Sequence, residues 1–216
     1  MDKQLWSLEK SAYKKEIFDK AWRFVDILGS IVAILISLPL FTVIFFLIKI
    51  EDTSSPAIFK QIRVGKDGTP FVMYKFRSMI VNAEKELASL KNKNEMDGLM
   101  FKIEDDPRIT KVGKWLRKYS LDEFPQFINI LKGDMSFVGP RPPIMSEYLE
   151  YNSYHMQRLL VKPGCTGLWQ VSGRNALKFE EMIALDLEYI QNRSVLLNIK
   201  ILLLTFKEFT NKGSGI

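Results

Sequence analysis

The longest uninterrupted run of hydrophobic positions lies between residues 27 and 48 and contains no Asp, Glu, Lys, Arg or His. As a straight α-helix this run would extend about 33 Å, which is enough to cross the hydrocarbon core of a bilayer. A stretch of 26 residues with both charge signs precedes it, and no small-residue cleavage motif follows it. A cleaved signal peptide is therefore a poor match. The pattern predicts a membrane helix that stays in the mature protein.

The residues around and within this run leave its topology open. Six Lys or Arg residues precede it and six follow it up to residue 77, so the flanking charge gives no orientation. Pro39 lacks a backbone donor and predicts a kink, and Ser37 is placed to hydrogen-bond the freed carbonyl region. A spanning helix with a tolerated kink and a re-entrant hairpin with both ends on one side are equally compatible with this pattern.

A second apolar run covers residues 195 to 209 and is interrupted by Lys200, Lys207 and Glu208. It is too short to cross a bilayer. An interfacial helix at the membrane surface and a buried C-terminal core helix both fit it.

The remaining pattern predicts a mixed α+β fold, mostly helical, in which a globular domain at residues 51–216 follows an N-terminal membrane segment at residues 1–50. Two β-prone runs, Ile58 to Val64 and Pro70 to Phe76, flank a Gly-Lys-Asp-Gly turn and predict a β-hairpin. The glycine- and proline-rich run at 133–143 predicts an ordered functional loop. Helical composition covers 82–93, 111–119, 121–131, 146–160 and 178–192, with a polar loop at 94–106.

The composition favours some classes of partner and excludes some kinds of metal site. The 216 residues carry a net charge of +6, which suits an anionic partner such as a nucleic acid, a lipid headgroup or a phosphorylated small molecule. A nucleic-acid-binding protein would leave the 27–48 run unexplained. The single cysteine, Cys165, and the single histidine, His155, exclude a disulfide framework, a cysteine zinc cluster and a histidine-rich metal site.

Two adjacent acids, Asp122 and Glu123, follow Ser120-Leu121 in a capping-box pattern that predicts the start of a helix. A capping role is the simpler interpretation of acids at this position. Cations beside glycine, proline or serine change that balance, because two carboxylates and several cations around a diphosphate suit Mg²⁺-assisted phosphoryl transfer. These cations are Arg77, Arg108, Arg117, Arg141, Lys162 and Arg174.

Several long motifs in a fixed order resemble the bacterial sugar transferases, the monotopic polyprenyl-phosphate phosphoglycosyl transferases. The similarity covers the chain from about Trp22 to Thr205. Leu-Asp-Glu-Phe-Pro-Gln stands at 121–126, Gly-Asp-Met-Ser-Phe-Val-Gly-Pro-Arg-Pro at 133–142, and Lys-Pro-Gly-Cys-Thr-Gly-Leu-Trp-Gln-Val-Ser-Gly-Arg at 162–174. Shorter matching stretches lie at 55–61, 63–65 and 75–79.

The resemblance implies an enzyme that transfers a sugar 1-phosphate from a UDP-sugar to undecaprenyl phosphate and releases UMP, as the first membrane step of surface glycan assembly. It implies Asp122 as a nucleophile that forms a covalent phosphosugar, and therefore ping-pong kinetics. Glu123 would complete the catalytic dyad, either by orienting Asp122 or by handling a proton. Mg²⁺ would sit at Asp122. The phosphates would be bound by Lys75, Arg77, Arg108, Arg117, Arg141, Lys162 and Arg174.

The resemblance also favours a re-entrant helix broken at Ser37 and Pro39, with interfacial helices and a catalytic domain on the cytoplasmic face of the bacterial inner membrane. This sequence departs from the family pattern at three places. Leu38 separates Ser37 from Pro39, and Arg193 and Asn198 stand where relatives often have Trp and Asp. With only 26 residues before the apolar run, the chain resembles the minimal catalytic unit.

Two alternatives differ in class from this interpretation. A catalytically inactive membrane scaffold for glycan assembly would be favoured by loss of either dyad acid, and both are present. A polytopic transferase with direct attack would need many membrane spans. The motifs leave the sugar open, with a weak preference for an N-acetylated amino sugar. They also leave the oligomeric state open, with a homodimer among the options.

The re-entrant topology makes a prediction for cysteine labelling. Single cysteines near Lys14 and near Asp67, each in a Cys165→Ser background, should react with a membrane-impermeant reagent from the same side of the membrane. The reason is that a re-entrant helix returns the chain to the face from which it entered. Labelling from opposite sides would establish a spanning helix.

Overall fold

In the computed structural model, the 27–48 run belongs to one long helix, α1 (Asp2–Glu51). The structure describes residues 2–90, 98–99, 103, 105–173 and 176–210. After α1 the order is β1 (Ile58–Val64), β2 (Pro70–Phe76), α2 (Ala83–Leu90), α3 (Lys111–Lys118), α4 (Gln126–Lys132), β3 (Ser136–Val138), α5 (Met145–Leu149), α6 (Ser153–Met156), β4 (Gly164–Thr166), α7 (Phe179–Asn192) and α8 (Val195–Thr210). Helix dominates, with a short antiparallel hairpin, so the predicted mixed and mostly helical fold is confirmed at this level.

One face of α1 packs along the globular part of the protein. The buried positions recur at a spacing typical of one helix face and are Trp22, Asp26, Ser30, Ser37, Ile44 and Ile48. The other faces are apolar and open, as at Leu35 and Ile36. By length and composition, the stretch Lys15–Glu51 could cross a membrane. Of its most apolar 18 residues, 17% are buried inside the protein.

Helical structure continues through Ser37 and Pro39. Ser37 is buried, and its hydroxyl forms no hydrogen bond to any described residue, so the expected bond to the freed carbonyl region is not observed. The Thr42 hydroxyl donates to the Leu38 carbonyl instead, at 3.0 Å. The membrane break at these two residues stays a prediction.

The predicted hairpin is confirmed at both strand boundaries. Strands β1 and β2 pair antiparallel, with Ile58 opposite Phe76 and Val64 opposite Pro70. A short 3₁₀ turn at Lys66–Gly68 joins them. Asp67 and Gly68 both have positive φ there, which explains the need for Asp and Gly in this loop.

The helix predicted over 121–131 begins later than Leu121, as the position of Pro125 within its first turns allows. The structure has a 3₁₀ turn at Leu121–Glu123 and then α4, which begins after Pro125. Ser120 is left-handed (φ 49°) and its side chain caps nothing, so the predicted capping box is wrong. Pro125 supplies the preset φ of a helix entry but no N–H, which moves the start of the helix to Gln126.

The helix predicted over 146–160 is divided into α5, α6 and a 3₁₀ turn at Gln157–Leu160. The cause is Asn152, whose side-chain oxygen accepts from the backbone N–H groups of Tyr154 and His155 and starts a new helix. The loop at 133–143 is ordered as predicted, because its strand β3 pairs in parallel with β4.

Helix α8 is not a fully buried core helix. Ile201 and Asn198 are completely buried, whereas Leu196, Leu203 and Phe206 are each at least 66% exposed. The packed face joins Trp22, Val138 and Tyr189 around Ile201. The exposed apolar face agrees with the interfacial alternative.

Helix α3 approaches the chain after β2 so closely that only glycine fits at position 113. A Cβ on Gly113 would lie 2.0 Å from the backbone oxygen of Ser78. Thr110 begins this helix by accepting from the Gly113 N–H, and its own N–H donates to the Ser78 oxygen. The contact thereby fixes α3 against the segment that leaves the hairpin.

We expect Gly113→Ala to lower the free energy of unfolding by about 1–3 kcal/mol, the usual cost of overpacking. The clash with a backbone atom should outweigh the helix propensity gained with alanine, about 1 kcal/mol. Thermal unfolding in the same detergent measures the change. Lys114→Ala is the matched control, because Lys114 is exposed on the same helix. A Gly113→Ala melting temperature equal to that of the control would contradict the packing.

Candidate active site

The structure places the two predicted acids in different environments on one 3₁₀ turn. Asp122 is buried, with 7% of its surface exposed. The Glu123 side chain is 39% exposed and accepts a 2.7 Å hydrogen bond from the Lys75 ammonium. The turn therefore presents one carboxylate to the protein interior and the other to a cation on β2.

Helix α4 holds this turn against the hairpin through Asn129, which is fully buried. Its side-chain amide donates to the Val72 carbonyl at 2.6 Å, and its side-chain oxygen accepts from the Tyr74 N–H at 3.0 Å. Lys75 is the next residue on β2. The two bonds fix the helix after the dyad relative to the strand that carries the dyad's cation.

The pKa values of the two acids move in opposite directions. Burial raises the pKa of Asp122, the adjacent Glu123 adds to the rise, and Lys75 and Arg117 partly oppose it. Burial also acts against ionisation of Glu123, but the Lys75 ion pair and the charges of Arg141 and Arg63 lower the pKa of Glu123. Glu123 is therefore the stably ionised partner, and Asp122 is the one that titrates at a higher pH than an ordinary aspartate.

Arg117 connects the dyad to the segment after β2. Its Nε donates to the Ser78 hydroxyl at 3.0 Å, and its charge interacts with Asp122. Burial lowers the pKa of Arg117, and the nearby Asp122 counteracts this. The predicted Arg117 is thus beside the dyad, as is the predicted Arg141, which lies 3.2 Å from Glu147 and contributes to the field at Glu123.

Arg63 is a site residue that the sequence interpretation missed. It is buried on β1, donates to Gln61 and to the Pro142 carbonyl, and contributes to the positive field at Glu123. Burial and the charge of Arg141 lower the pKa of Arg63 to about 9. The signals in the sequence are weak: Arg63 is one of two charges in strand β1, with Lys60, and it begins the short matching stretch at 63–65.

The other predicted phosphate-binding cations are not gathered at the dyad. Arg77 donates to the Pro56 carbonyl and lies over the Phe59 ring. Arg108 is buried and pairs with Asp106 at 2.6 Å. Lys162 borders a different cleft. Arg174 lies outside the described residues, and its role stays a prediction.

The two acids could bind an Mg²⁺ ion that is also coordinated by the phosphates of a substrate. No group of three or more His, Cys, Asp or Glu side chains converges as a metal site within the ranges that the structure describes. Mg²⁺ is commonly bound by one or two carboxylates together with substrate phosphates and water, and Asp122 with Glu123 provides such a pair. Magnesium at Asp122 stays a prediction.

Known proteins match this chain over a region that includes the residues of the site. The family model for bacterial sugar transferases matches residues 18–212. The chain is 54% identical over 188 residues to the galactosyl transferase CpsE of Streptococcus agalactiae, covering 87% of this chain and 41% of that protein. It is 43% identical to the undecaprenyl-phosphate galactose phosphotransferase of Salmonella typhimurium, covering 86% of this chain and 39% of that protein.

A third relative is similar in length. The exopolysaccharide production protein ExoY of Sinorhizobium fredii is 40% identical over 187 residues, which cover 85% of this chain and 82% of ExoY. The chain thus spans about two fifths of the first two relatives and most of the third. The matched region contains the Asp122–Glu123 turn, the hairpin and the cations around them. The chain belongs to the bacterial sugar transferase family.

Proposed function

We propose that this protein transfers a sugar 1-phosphate from a UDP-sugar to undecaprenyl phosphate and releases UMP. The observation that carries the proposal is a buried aspartate, Asp122, beside a glutamate that is ion-paired with Lys75, with the charge of Arg117 also acting on Asp122. The names of two relatives support the reaction. One is the Salmonella phosphotransferase, and the other is the UDP-glucose:undecaprenyl-phosphate glucose-1-phosphate transferase of Klebsiella pneumoniae, 44% identical over 199 residues.

The proposed reaction has two displacements at one phosphorus atom. A carboxylate oxygen of Asp122 bonds to the phosphorus that carries the sugar, the bond to the bridging oxygen breaks, and UMP leaves. An oxygen of undecaprenyl phosphate then bonds to the same phosphorus, and the bond to Asp122 breaks, which restores the carboxylate. Burial of Asp122 suits the first step, because a poorly hydrated carboxylate next to fixed cations needs little reorganisation to attack.

The remaining site residues would stabilise the charges that the reaction develops or requires. Lys75 and Arg117 would stabilise negative charge on the transferring phosphoryl group, and Glu123 would keep Lys75 in place through its 2.7 Å ion pair. Mg²⁺ would be held at Asp122 together with the substrate, and when bound it would neutralise charge on the diphosphate. Arg63 and Arg141 would hold Glu123 ionised.

We place this reaction at the first membrane step of a surface polysaccharide or glycoconjugate, on the cytoplasmic face of the bacterial inner membrane. The long apolar α1 and the exposed apolar face of α8 support membrane attachment. Named relatives concern galactose and glucose, so a hexose is the first choice of sugar. The inactive-scaffold alternative is disfavoured by the presence and burial of Asp122.

The first test is Asp122→Asn. We expect loss of UMP release by at least about 10³-fold, because the amide cannot form the covalent intermediate. The assay uses UDP-galactose, UDP-glucose and UDP-N-acetylglucosamine with Mg²⁺, with and without undecaprenyl phosphate. Intact-mass analysis of the wild type with the UDP-sugar alone should show a phosphosugar adduct.

Asp67→Asn is the matched control for this test. Asp67 is exposed and has a φ of 55°, a conformation that asparagine tolerates well. The control should retain wild-type turnover. Substantial UMP release by Asp122→Asn, or an adduct on that variant, would remove Asp122 from the nucleophile role.

Lys75 makes a prediction for the pH dependence. The charge of Lys75 lowers the pKa of both Asp122 and Glu123, so the Lys75→Met substitution should raise the pKa of both acids. The reaction needs the ionised Asp122, whose population falls as the pH drops through its pKa. The acidic limb of the kcat/KM profile should therefore move to higher pH in Lys75→Met.

Two further variants separate this effect from damage to the hairpin. Lys75→Arg keeps the charge and should return the limb towards its wild-type position. Lys60→Met removes an exposed lysine from the partner strand and should leave the limb in place. An acidic limb in Lys75→Met that is unmoved, or moved to lower pH, would contradict the electrostatic role.

A further inference from the structure

A second cluster of cations borders a cleft of about 120 Å³ beside the N-terminal half of α1. Its cationic side chains are Arg23, Lys66, Lys162 and Arg193, and its two acids are Asp19 and Asp26. The cleft includes neither dyad acid nor Lys75. It is therefore a positive site separate from the one around Glu123.

Both acids of this cleft are already engaged. Asp26 accepts from the Ser136 hydroxyl and from the Phe137 N–H, each at 3.0 Å. Asp19 accepts two bonds from Arg193, at 2.7 and 3.1 Å. The acids thus hold the walls of the cleft together and leave positive charge uncompensated.

The lysines supply that uncompensated charge. No hydrogen bond or ion pair to the ammonium groups of Lys162 and Lys66 is formed by the residues that the structure describes. Lys162 is half-buried, and burial together with the charge of Arg23 lowers the pKa of Lys162. Packing two like charges in a cleft is unfavourable unless an anion joins them.

The side chains of Arg23 and Lys162 both pack over Gly133, so their terminal nitrogen atoms are neighbours. A Cβ on this glycine would lie 3.3 Å from the Arg23 Nη2 atom and 3.3 Å from the Lys162 Nζ atom. Gly133 has a φ of 92° and ends α4, where Arg23 also donates to the carbonyls of Ile130 and Leu131. The guanidinium is thereby fixed beside the ammonium group of Lys162, an arrangement that suits a tetrahedral oxyanion.

The position of the cleft indicates which kind of molecule would bring the anion to it. Arg23 and Asp26 are the last charged residues before the apolar run that begins at Ile27. Phe24 and Leu28, next to them on α1, are 64% and 48% exposed. A lipid with its chains along these apolar side chains would bring its phosphate to the polar end of the run.

We propose that this cleft binds the phosphate group of a lipid through Arg23, Lys66 and Lys162. The inference goes beyond the reaction proposed above: its polyprenyl-phosphate form rests on that reaction, whereas its phospholipid form does not. A phosphodiester headgroup of a membrane phospholipid and the phosphate of a polyprenyl phosphate share this chemistry, and the arms of the test separate them.

The test compares the full chain with the double variant Lys66→Gln/Lys162→Gln. Partition is measured on phosphatidylcholine vesicles alone, with 20 mol% phosphatidylglycerol, or with 2 mol% undecaprenyl phosphate, and inorganic phosphate is titrated in a thermal-shift assay. We expect the double variant to lose about tenfold or more of the gain produced by the preferred phosphate lipid. Lys60→Gln/Lys118→Gln removes the same charge from exposed positions outside the cleft and should lose far less.

Each outcome decides the proposal. Selective loss with phosphatidylglycerol identifies a phospholipid site, and selective loss with undecaprenyl phosphate identifies a site for the polyprenyl phosphate. Stabilisation by inorganic phosphate that vanishes in the double variant shows that the phosphate group alone suffices. Equal behaviour of the double variant and its control in every arm overturns the proposal.

A further variant excludes a folding defect as the cause. Lys162→Arg keeps the charge at the cleft and should keep lipid binding, whereas Lys162→Gln should weaken it. Both variants should melt within a few degrees of the wild type, because Lys162 forms no bond to the described residues that the substitution could remove. Loss of binding in Lys162→Arg as well as in Lys162→Gln would contradict a phosphate site.

Discussion

The buried amide of Asn129 is the contact on which the geometry of the active site depends. It joins α4 to the backbone of β2 on both sides of residue 73, by one donated and one accepted hydrogen bond. A buried amide without these partners would be costly, so the helix and the strand can dock in only one register. That register places Lys75 against Glu123 and leaves Asp122 on the inner side of the turn.

The docked register explains why two neighbouring acids can take different roles. Adjacent carboxylates with equal surroundings would titrate alike, apart from their mutual repulsion. Burial raises the pKa of both acids, but the Lys75 ammonium bonds directly to Glu123 alone, so the cations prevail at Glu123 and burial prevails at Asp122. The mechanism proposed above uses this asymmetry, because the attacking group must be poorly solvated and its neighbour must stay charged.

The sequence predicted the hairpin to the residue, since strand periodicity and a glycine turn are local signals. The family motifs also pointed to Asp122 and Glu123 and to three cations whose charges act on them, Lys75, Arg117 and Arg141; their roles stay predictions. The predictions of helix bounds from the sequence were less accurate, because single residues decide where a helix begins. Pro125 and Asn152 each start a new helix inside a predicted one. Arg63 and the separation of Lys162 from the dyad depend on tertiary packing, which no local pattern encodes.

The N-terminal helix α1, which carries the long apolar run, is bonded to the segment that follows the Asp122–Glu123 turn. Arg23 of α1 binds the last carbonyls of α4, and Asp26 binds the start of β3, so both ends of the α4–β3 connection are held by one turn of the anchor helix. The other end of α4 follows the dyad after Phe124 and Pro125. A force on α1 from a lipid environment can therefore reach the dyad through the seven-residue helix α4, and also directly through Phe41, whose ring centroid lies 6.5 Å from that of Phe124. A phosphate lipid at Arg23, as proposed above, would act on α4, which would make this helix one structural link between lipid binding and the chemistry proposed for Asp122.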